Sequence, residues 1–163
     1  MNGSPKVDHR VLMRLALDQA ALSAAAGEVP IGALLVHEGA ILAQSHNHRE
    51  TWQDPTAHAE MIVIRQAAKT LGRWRLIDTT MFVTLEPCAM CLGAIILARI
   101  PRLVFGARDP KAGACGSVLD FSADPRLNHR VDVVGGILED ESQRMLSKFF
   151  QEIRTRQPKA QTL

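Results

Sequence analysis

A chain of 163 residues that is 47% apolar and 22% charged can bury one sizeable core, which excludes a disordered or low-complexity protein and favours a single domain. A net charge of +2 excludes a generally basic coat for nucleic acid, so any footprint for a polyanion has to be local. Three cysteines cannot close a disulfide framework, and two of them at Cys-x-x-Cys spacing suggest metal or redox use in a reducing compartment.

Met1 to Arg10 is polar and charged with no apolar leader core, and the longest apolar run, Leu92 to Ala98, is too short to span a bilayer. These features predict a cytoplasmic chain with no membrane partner. The domain is expected to span 1–163, with a polar, mobile tail after about residue 155.

Asp8 is placed to cap a helix beginning near His9, with Val11, Leu12, Leu15, Ala16, Gln19 and Leu22 as its inward stripe and Gly27 as its stop. Ile31 to Val36 and Ala40 to Gln44 read as strands joined at His37-Glu38-Gly39, a hairpin with a bulge or a three-residue loop. Ser45 to Asp54 is polar and reads as a loop, and Pro55 holds Asp54 extended. A helix is predicted over Ala57 to Leu71, with His58 in its first turn. Thr80 to Leu85 is a β-branched strand running into Pro87, which suits a first helical residue. Cys88 to Ile100 is an apolar helix ended by Pro101. Arg102 to Gly106 is a strand, Ala107 to Cys115 a loop, Ser117 to Phe121 a short helical turn, and Val131 to Val134 a last strand. Glu139 to Arg154 closes the chain as an amphipathic helix, acidic at its start and basic at its end, as the helix dipole favours. Strands alternating with helices give an α/β sandwich around a mixed sheet, antiparallel in the opening hairpin and parallel where helices cross over.

Two short stretches carry chemistry. Pro55-Thr-Ala-His-Ala-Glu60 offers an imidazole at His58 and a carboxylate at Glu60; Glu86-Pro-Cys-Ala-Met-Cys91 offers thiols at Cys88 and Cys91. Three protein ligands leave the fourth position of tetrahedral zinc open, the mark of a catalytic rather than a structural site. Both stretches open helices, whose partial positive charge favours thiolate. Glu60, two residues from His58, can reach the open position without being a ligand and can move protons for a zinc-activated water. A thioredoxin-like redox pair would leave His58 and Glu60 unexplained. A structural zinc would need a fourth ligand, for which Cys115, His46 or His48 could be nominated. Cys115 reads better as a small buried residue, and His9, His37 and His129 as surface or capping residues.

The pattern His-x-Glu followed by Pro-Cys-x-x-Cys is the signature of zinc nucleobase deaminases. Asp54-Pro-Thr-Ala-His-Ala-Glu60, Val83-Thr-Leu-Glu-Pro-Cys-Ala-Met-Cys91 and Val104-Phe-Gly-Ala-Arg-Asp109 resemble the bacterial tRNA-specific adenosine deaminases. So do Glu28-Val-Pro-Ile-Gly-Ala33, Arg75-Leu-Ile-Asp78, Asn128-His-Arg-Val131 and the Phe149-Phe150 pair, so the resemblance spans almost the whole chain. The segments Asn47 to Asp54 and Phe121 to Arg126 depart from the family pattern.

The resemblance implies a cytidine-deaminase-like α/β/α sandwich with a five-stranded mixed sheet, and a homodimer. It implies deamination of adenosine to inosine at the wobble position of a tRNA anticodon stem-loop, with an arginine tRNA as the expected substrate. It assigns one Zn2+ per subunit to His58, Cys88 and Cys91 and proton transfer to Glu60. It gives base contact to Asn47 and the Ala59 backbone, and contact with neighbouring nucleotides to Ala107, Arg108 and Asp109. Phe149 and Phe150 fall on the closing helix near the anticodon loop; since both cannot face inward, one is expected in the core and the other as a stacking surface. Arg154, Arg156 and Lys159 are candidates for phosphate contact, and Trp52 is expected to pack rather than stack on a base. Two rival readings remain open at this level: a deaminase of free guanine, cytosine or a nucleotide, and a non-catalytic RNA-binding or dimerisation module with a structural zinc.

Overall fold

The computed structural model describes residues 8–156. The element order is α1 (His9–Ala25), β1 (Gly32–His37), β2 (Ala40–His46), α2 (Arg49–Trp52), α3 (Ala59–Leu71), β3 (Thr79–Leu85), α4 (Ala89–Leu97), β4 (Arg102–Ala107), β5 (Asp132–Val134) and α5 (Glu139–Arg156). The five strands form one sheet in the order β2-β1-β3-β4-β5, with β1 antiparallel to both neighbours and β3, β4 and β5 parallel. Lys159 lies outside the described residues. Among the described residues no helix is long and apolar enough to cross a membrane.

The sheet is buried on both faces because its central strands are apolar along most of their length. Ala33 and Leu35 of β1, Met81 and Val83 of β3, and Leu103 and Phe105 of β4 join one core with Val63, Ala67, Leu92 and Ile95 of α3 and α4. The alternate residues Leu34, Val36, Phe82 and Val104 pack on Leu12, Met13, Ala16 and Leu17 of α1, with Met145 of α5 at the margin. The period-two alternation of strand side chains therefore sorts the residues into two cores, and the result is the expected α/β/α sandwich.

Several expectations need correction. The inward stripe of α1 is Leu12, Met13, Ala16, Leu17 and Ala20, while Val11, Leu15 and Leu22 of the expected stripe are exposed. The helix is apolar on two faces, and close approach decides between them. A Cβ built on Gly32 would overlap Ala16 O and stand 2.6 Å from Ala20 N, so only the face carrying Ala16 and Ala20 can lie this close to β1. The polar stretch after β2 holds the short helix α2, closed by Gln53 in a left-handed conformation. His58 caps α3 rather than lying within its first turn, and Cys88 caps α4, so Pro87 precedes the cap instead of opening the helix. The α4 helix ends at Leu97, before Pro101, and Arg99 turns the chain with φ +62°. Ser117 to Phe121 forms turns with an isolated bridge between Cys115 and Asp120 instead of a helical turn. The β1–β2 hairpin closes through Glu38 and Gly39, both at positive φ, as the right-handed twist of the strands favours, with a bulge at Leu35/Val36.

This topology places the site. β2, β3 and β4 run in the same direction, so the segments that follow them emerge at one edge of the sheet: Asn47 and the α3 cap, Glu86 and the α4 cap, and the loop from Ala107. β1 is antiparallel and enters the sheet at that edge, which adds Val29 and Ile31. Loops at the carboxyl ends of parallel strands are where open α/β sheets carry ligands.

Candidate active site

His58 and Cys88 occupy the N-cap positions of α3 and α4 with extended backbone, and neither side chain caps its own helix. Ser, Thr, Asp or Asn usually fills such a position and satisfies a first-turn N–H. Here an imidazole and a thiol stand there instead, and both are free to face each other. Cys91 lies three residues beyond Cys88, on the same face of the first turn. His58 Nδ1 is 3.8 Å from Cys88 Sγ and 3.5 Å from Cys91 Sγ.

These distances fit a metal ion. Zinc–sulfur bonds of about 2.3 Å and a zinc–nitrogen bond of about 2.0–2.1 Å, at tetrahedral angles, separate N from S by about 3.6 Å. The three ligand atoms lie within 4.8 Å of one another, and among the described residues this His58–Cys88–Cys91 group is the one cluster with metal-ligand geometry. Cys115, His46 and His48 do not join it, so no fourth protein ligand closes the shell among the described residues. The thiols are poised for a cation as well. Cys88 is pulled down to about 4, chiefly by its hydrogen bond with Cys91 and then by His58, whereas Cys91 is pushed up by the adjacent Cys88 and by burial. A divalent ion would neutralise the second thiolate that this pair otherwise resists.

Glu60 is 4% exposed, and its Oε2 is buried without a hydrogen-bond partner. Burial raises this carboxyl to about 7, against the opposing pull of its own backbone N–H and of His58. A buried carboxylate oxygen with no partner is costly unless something from outside the chain meets it.

The site opens into a cavity of about 770 Å³. Asn47, His58, Glu60 and Cys88 line it, together with Ala107, Arg108 and Asp109 at the end of β4 and Phe150 of α5. Asn47 is 2% exposed, and its Oδ1 accepts the Ala59 N–H at 2.9 Å, which leaves the Nδ2 donors uncommitted. Ala59 is fully buried, and its N–H is taken up by Asn47. Asp109 Oδ1 accepts the N–H groups of Lys111 and Ala112 and shapes the turn that carries them. Glu86, which also lines the cavity, accepts hydrogen bonds from Asp109, Cys115 and Ser117. Phe149 is buried and Phe150 is 44% exposed, so one ring faces inward and the other outward, as the helix geometry requires.

Sequence reasoning passed over Arg49, Lys111, Val29 and Ile31, and most of the α5 face: Gln143, Leu146, Ser147, Ile153 and, as a lining residue, Arg154. The α5 residues recur at helical spacing with Phe150, a periodicity that could have flagged them. Arg49, Arg108, Lys111 and Arg154 bring four cations to the cavity, beside the carboxyls of Glu60, Glu86 and Asp109. Trp52 stacks at 4.3 Å on His48, which stacks at 4.2 Å on His46, so its packing role is met while half its surface stays open. His37 pairs with Asp78, His129 bonds Ile100 O, and His9 meets the edge of Phe82.

Comparison with known proteins agrees with this geometry. The model of the MafB19-like deaminase family matches residues 7–154. The tRNA-specific adenosine deaminase of Bacillus subtilis is 50% identical over 148 residues, covering 91% of this chain and 92% of the relative. The enzyme of the same name from Haemophilus influenzae is 47% identical over 144 residues, 88% of this chain and 83% of the relative. A solved structure from work on A-to-I editing by tRNA:A34 deaminases superposes with a TM-score of 0.81 at 47% identity, covering 83% of this chain and 99% of that one. The chain belongs to the tRNA-specific adenosine deaminase family, within the deaminases of this fold.

Proposed function

We propose that this protein hydrolyses adenosine to inosine at the wobble position of a tRNA anticodon, with His58, Cys88 and Cys91 holding one zinc ion. The observation that carries the reading is the unpartnered, buried Oε2 of Glu60, set beside three ligand atoms at zinc-compatible spacing in a cavity large enough for a nucleoside. When bound, zinc supplies a Lewis acid that lowers the pKa of a water from about 15.7 towards 7.

Glu60 accepts a proton of the attacking water at Oε2 and delivers it to a ring nitrogen of adenine, then takes the second proton from the new C6 hydroxyl and passes it to the departing amine. Water thus adds at C6, the C6–N bond breaks and ammonia leaves. The raised proton affinity of Glu60 suits a group that must both take and give a proton near neutrality. Asn47 offers its Nδ2 donors to an acceptor on the purine edge, such as N7, and the Ala59 N–H fixes its orientation. Arg108 and the Asp109 turn lie along the nucleotides beside the target, Phe150 supplies a stacking face, and Arg49, Lys111 and Arg154 meet phosphates. An anticodon loop presents unpaired bases, so extruding one into the cavity is cheap.

The exposed apolar side chains Ile77, Leu97, Val118 and Leu119 offer surface for a second copy, which supports a homodimer. We place the protein in the cytoplasm, where its thiols stay reduced, and expect an arginine tRNA as substrate.

The test incubates the purified protein with total tRNA and, in parallel, with free adenosine, cytidine and guanine. Inosine confined to one anticodon position is the expected result. Ammonia from a free base with unmodified tRNA would overturn the RNA reading and leave the deaminase chemistry standing.

A further inference from the structure

Glu86 precedes Pro87 and the ligand Cys88, is 2% exposed and lines the cavity, and both of its carboxylate oxygens are taken up by hydrogen bonds. Four donors converge on it. Its Oε1 accepts Cys115 N–H at 2.9 Å and Ser117 N–H at 3.1 Å; its Oε2 accepts Asp109 N–H at 3.0 Å and the Ser117 hydroxyl. Its own N–H donates to Ala107 O at 2.8 Å. Two distant points of one irregular loop are thus tied to the start of α4. Between those points the chain supplies Pro110, Lys111 and Ala112 to the cavity wall.

The loop is fitted to this carboxylate. A Cβ on Gly113 would stand 2.5 Å from Glu86 Oε2 and 2.6 Å from Asp109 O, so no larger residue fits there without moving the clamp. Gly113 also bridges to Cys88, and Ala114 N–H donates to Pro87 O at 2.9 Å. The four groups bonded to the Glu86 carboxylate are all donors. A neutral amide of the same size would turn its NH2 towards donors and lose at least one of the four bonds.

We infer that Glu86 is a positioning residue: it holds the Ala107–Ala112 wall at a fixed distance from the Cys88 turn and so sets how tightly the nucleotides flanking the target base are gripped. The identity of what the wall grips rests on the function proposed above; the clamp itself does not.

The test compares zinc-loaded wild type with Glu86→Gln, Gly113→Ala and Ser117→Ala. Amide exchange is followed residue by residue, and KM and kcat are measured on an anticodon stem-loop RNA. In Glu86→Gln the amides of Asp109, Cys115 and Ser117 should lose protection while those of β3 and α3 keep theirs. KM should rise about tenfold with kcat within about threefold, since a displaced wall weakens grip more than chemistry. Gly113→Ala should reproduce the KM signature from the loop side, and the double variant should be no worse than the worse single one, because both break one unit. If Glu86→Gln fails to load zinc, Gly113→Ala and Ser117→Ala decide. Unchanged protection of the three amides overturns the clamp. Faster exchange with an unchanged KM overturns its role in grip. Wild type inactive on RNA, with the amides deprotected in the variants, refutes only the substrate.

Discussion

Glu60→Gln separates chemistry from folding by the sign of two effects. The substitution keeps side-chain volume, so no cavity forms. It removes a carboxyl whose ordinary value is 4.5 and which burial lifts to about 7. A carboxyl with a folded value above its unfolded one opposes folding at neutral pH, here by about 3 kcal/mol in the metal-free chain. The amide that replaces it leaves a buried donor without a partner, which costs about 1–3 kcal/mol. In the metal-free chain net stability should therefore be unchanged or up to about 2 kcal/mol higher, and bound zinc, which offsets part of the original penalty, narrows that gain. Turnover should fall by about 10²- to 10⁴-fold, the range for a general acid–base, or about 3–5 kcal/mol of barrier. The assay is single-turnover inosine formation on an anticodon stem-loop, with zinc per chain and a melting curve on the same preparation. Activity within about tenfold of wild type, or a clear loss of stability with zinc retained, would show that Glu60 serves the fold and not the reaction.

Three further outcomes are expected. Cys91→Ser should lose zinc and activity together, and chelation of the wild type should remove activity that added zinc restores; a fully active metal-free protein would refute the ligand assignment. Asn47→Ala orphans the buried Ala59 N–H and should cost about 1–3 kcal/mol of stability together with a large loss in kcat/KM, whereas Asn47→Asp, which keeps the acceptor, should lose activity with a smaller stability change; kinetics and denaturant melts on both variants check the split. Glu28 gives a pH signature: burial pushes it up, but the backbone and hydroxyl hydrogen bonds of Thr51, with the Glu50 N–H and His48, outweigh burial and hold it below 4.5. A folded value below the unfolded one stabilises above about 4.5 and is lost as pH falls through the folded value, so acid titration of wild-type stability should be steeper there than that of Glu28→Gln, which should itself be about 1–2 kcal/mol less stable at pH 7.

Much of this molecule was legible from residue patterns, and the exceptions share a cause. Strand positions followed from apolar runs, because a sheet buried on both faces is where runs such as Ala33 to Val36 and Leu103 to Phe105 can hide every side chain. The face of α1 was not legible, because Val11, Leu15 and Leu22 are as apolar as Leu12, Met13 and Leu17. What chose between them was the approach of the backbone at Gly32, a contact between residues distant in sequence. The ligands were legible because zinc chemistry restricts residue type and spacing together. Arg49, Lys111 and the α5 wall were not, since their roles come from where the sheet edge places them and not from a local pattern.

The same topology explains why two helix caps could be given up. His58 and Cys88 forgo the capping bond that a serine or aspartate would make, a loss of about 1 kcal/mol at each helix. The helices can bear it because their stability comes from packing: Val63 and Ala67 of α3 and Leu92 and Ile95 of α4 are fully buried in one core. Both caps then stand at the edge where β2 and β3 end, within 3.8 Å of each other through His58 Nδ1 and Cys88 Sγ. A ligand atom placed on a cap inherits the rigidity of the helix behind it, and the first-turn N–H groups of α4 add positive potential where two thiolates must sit. Residues at helix starts that could cap but do not are therefore the feature of this sequence that joins its fold to its chemistry.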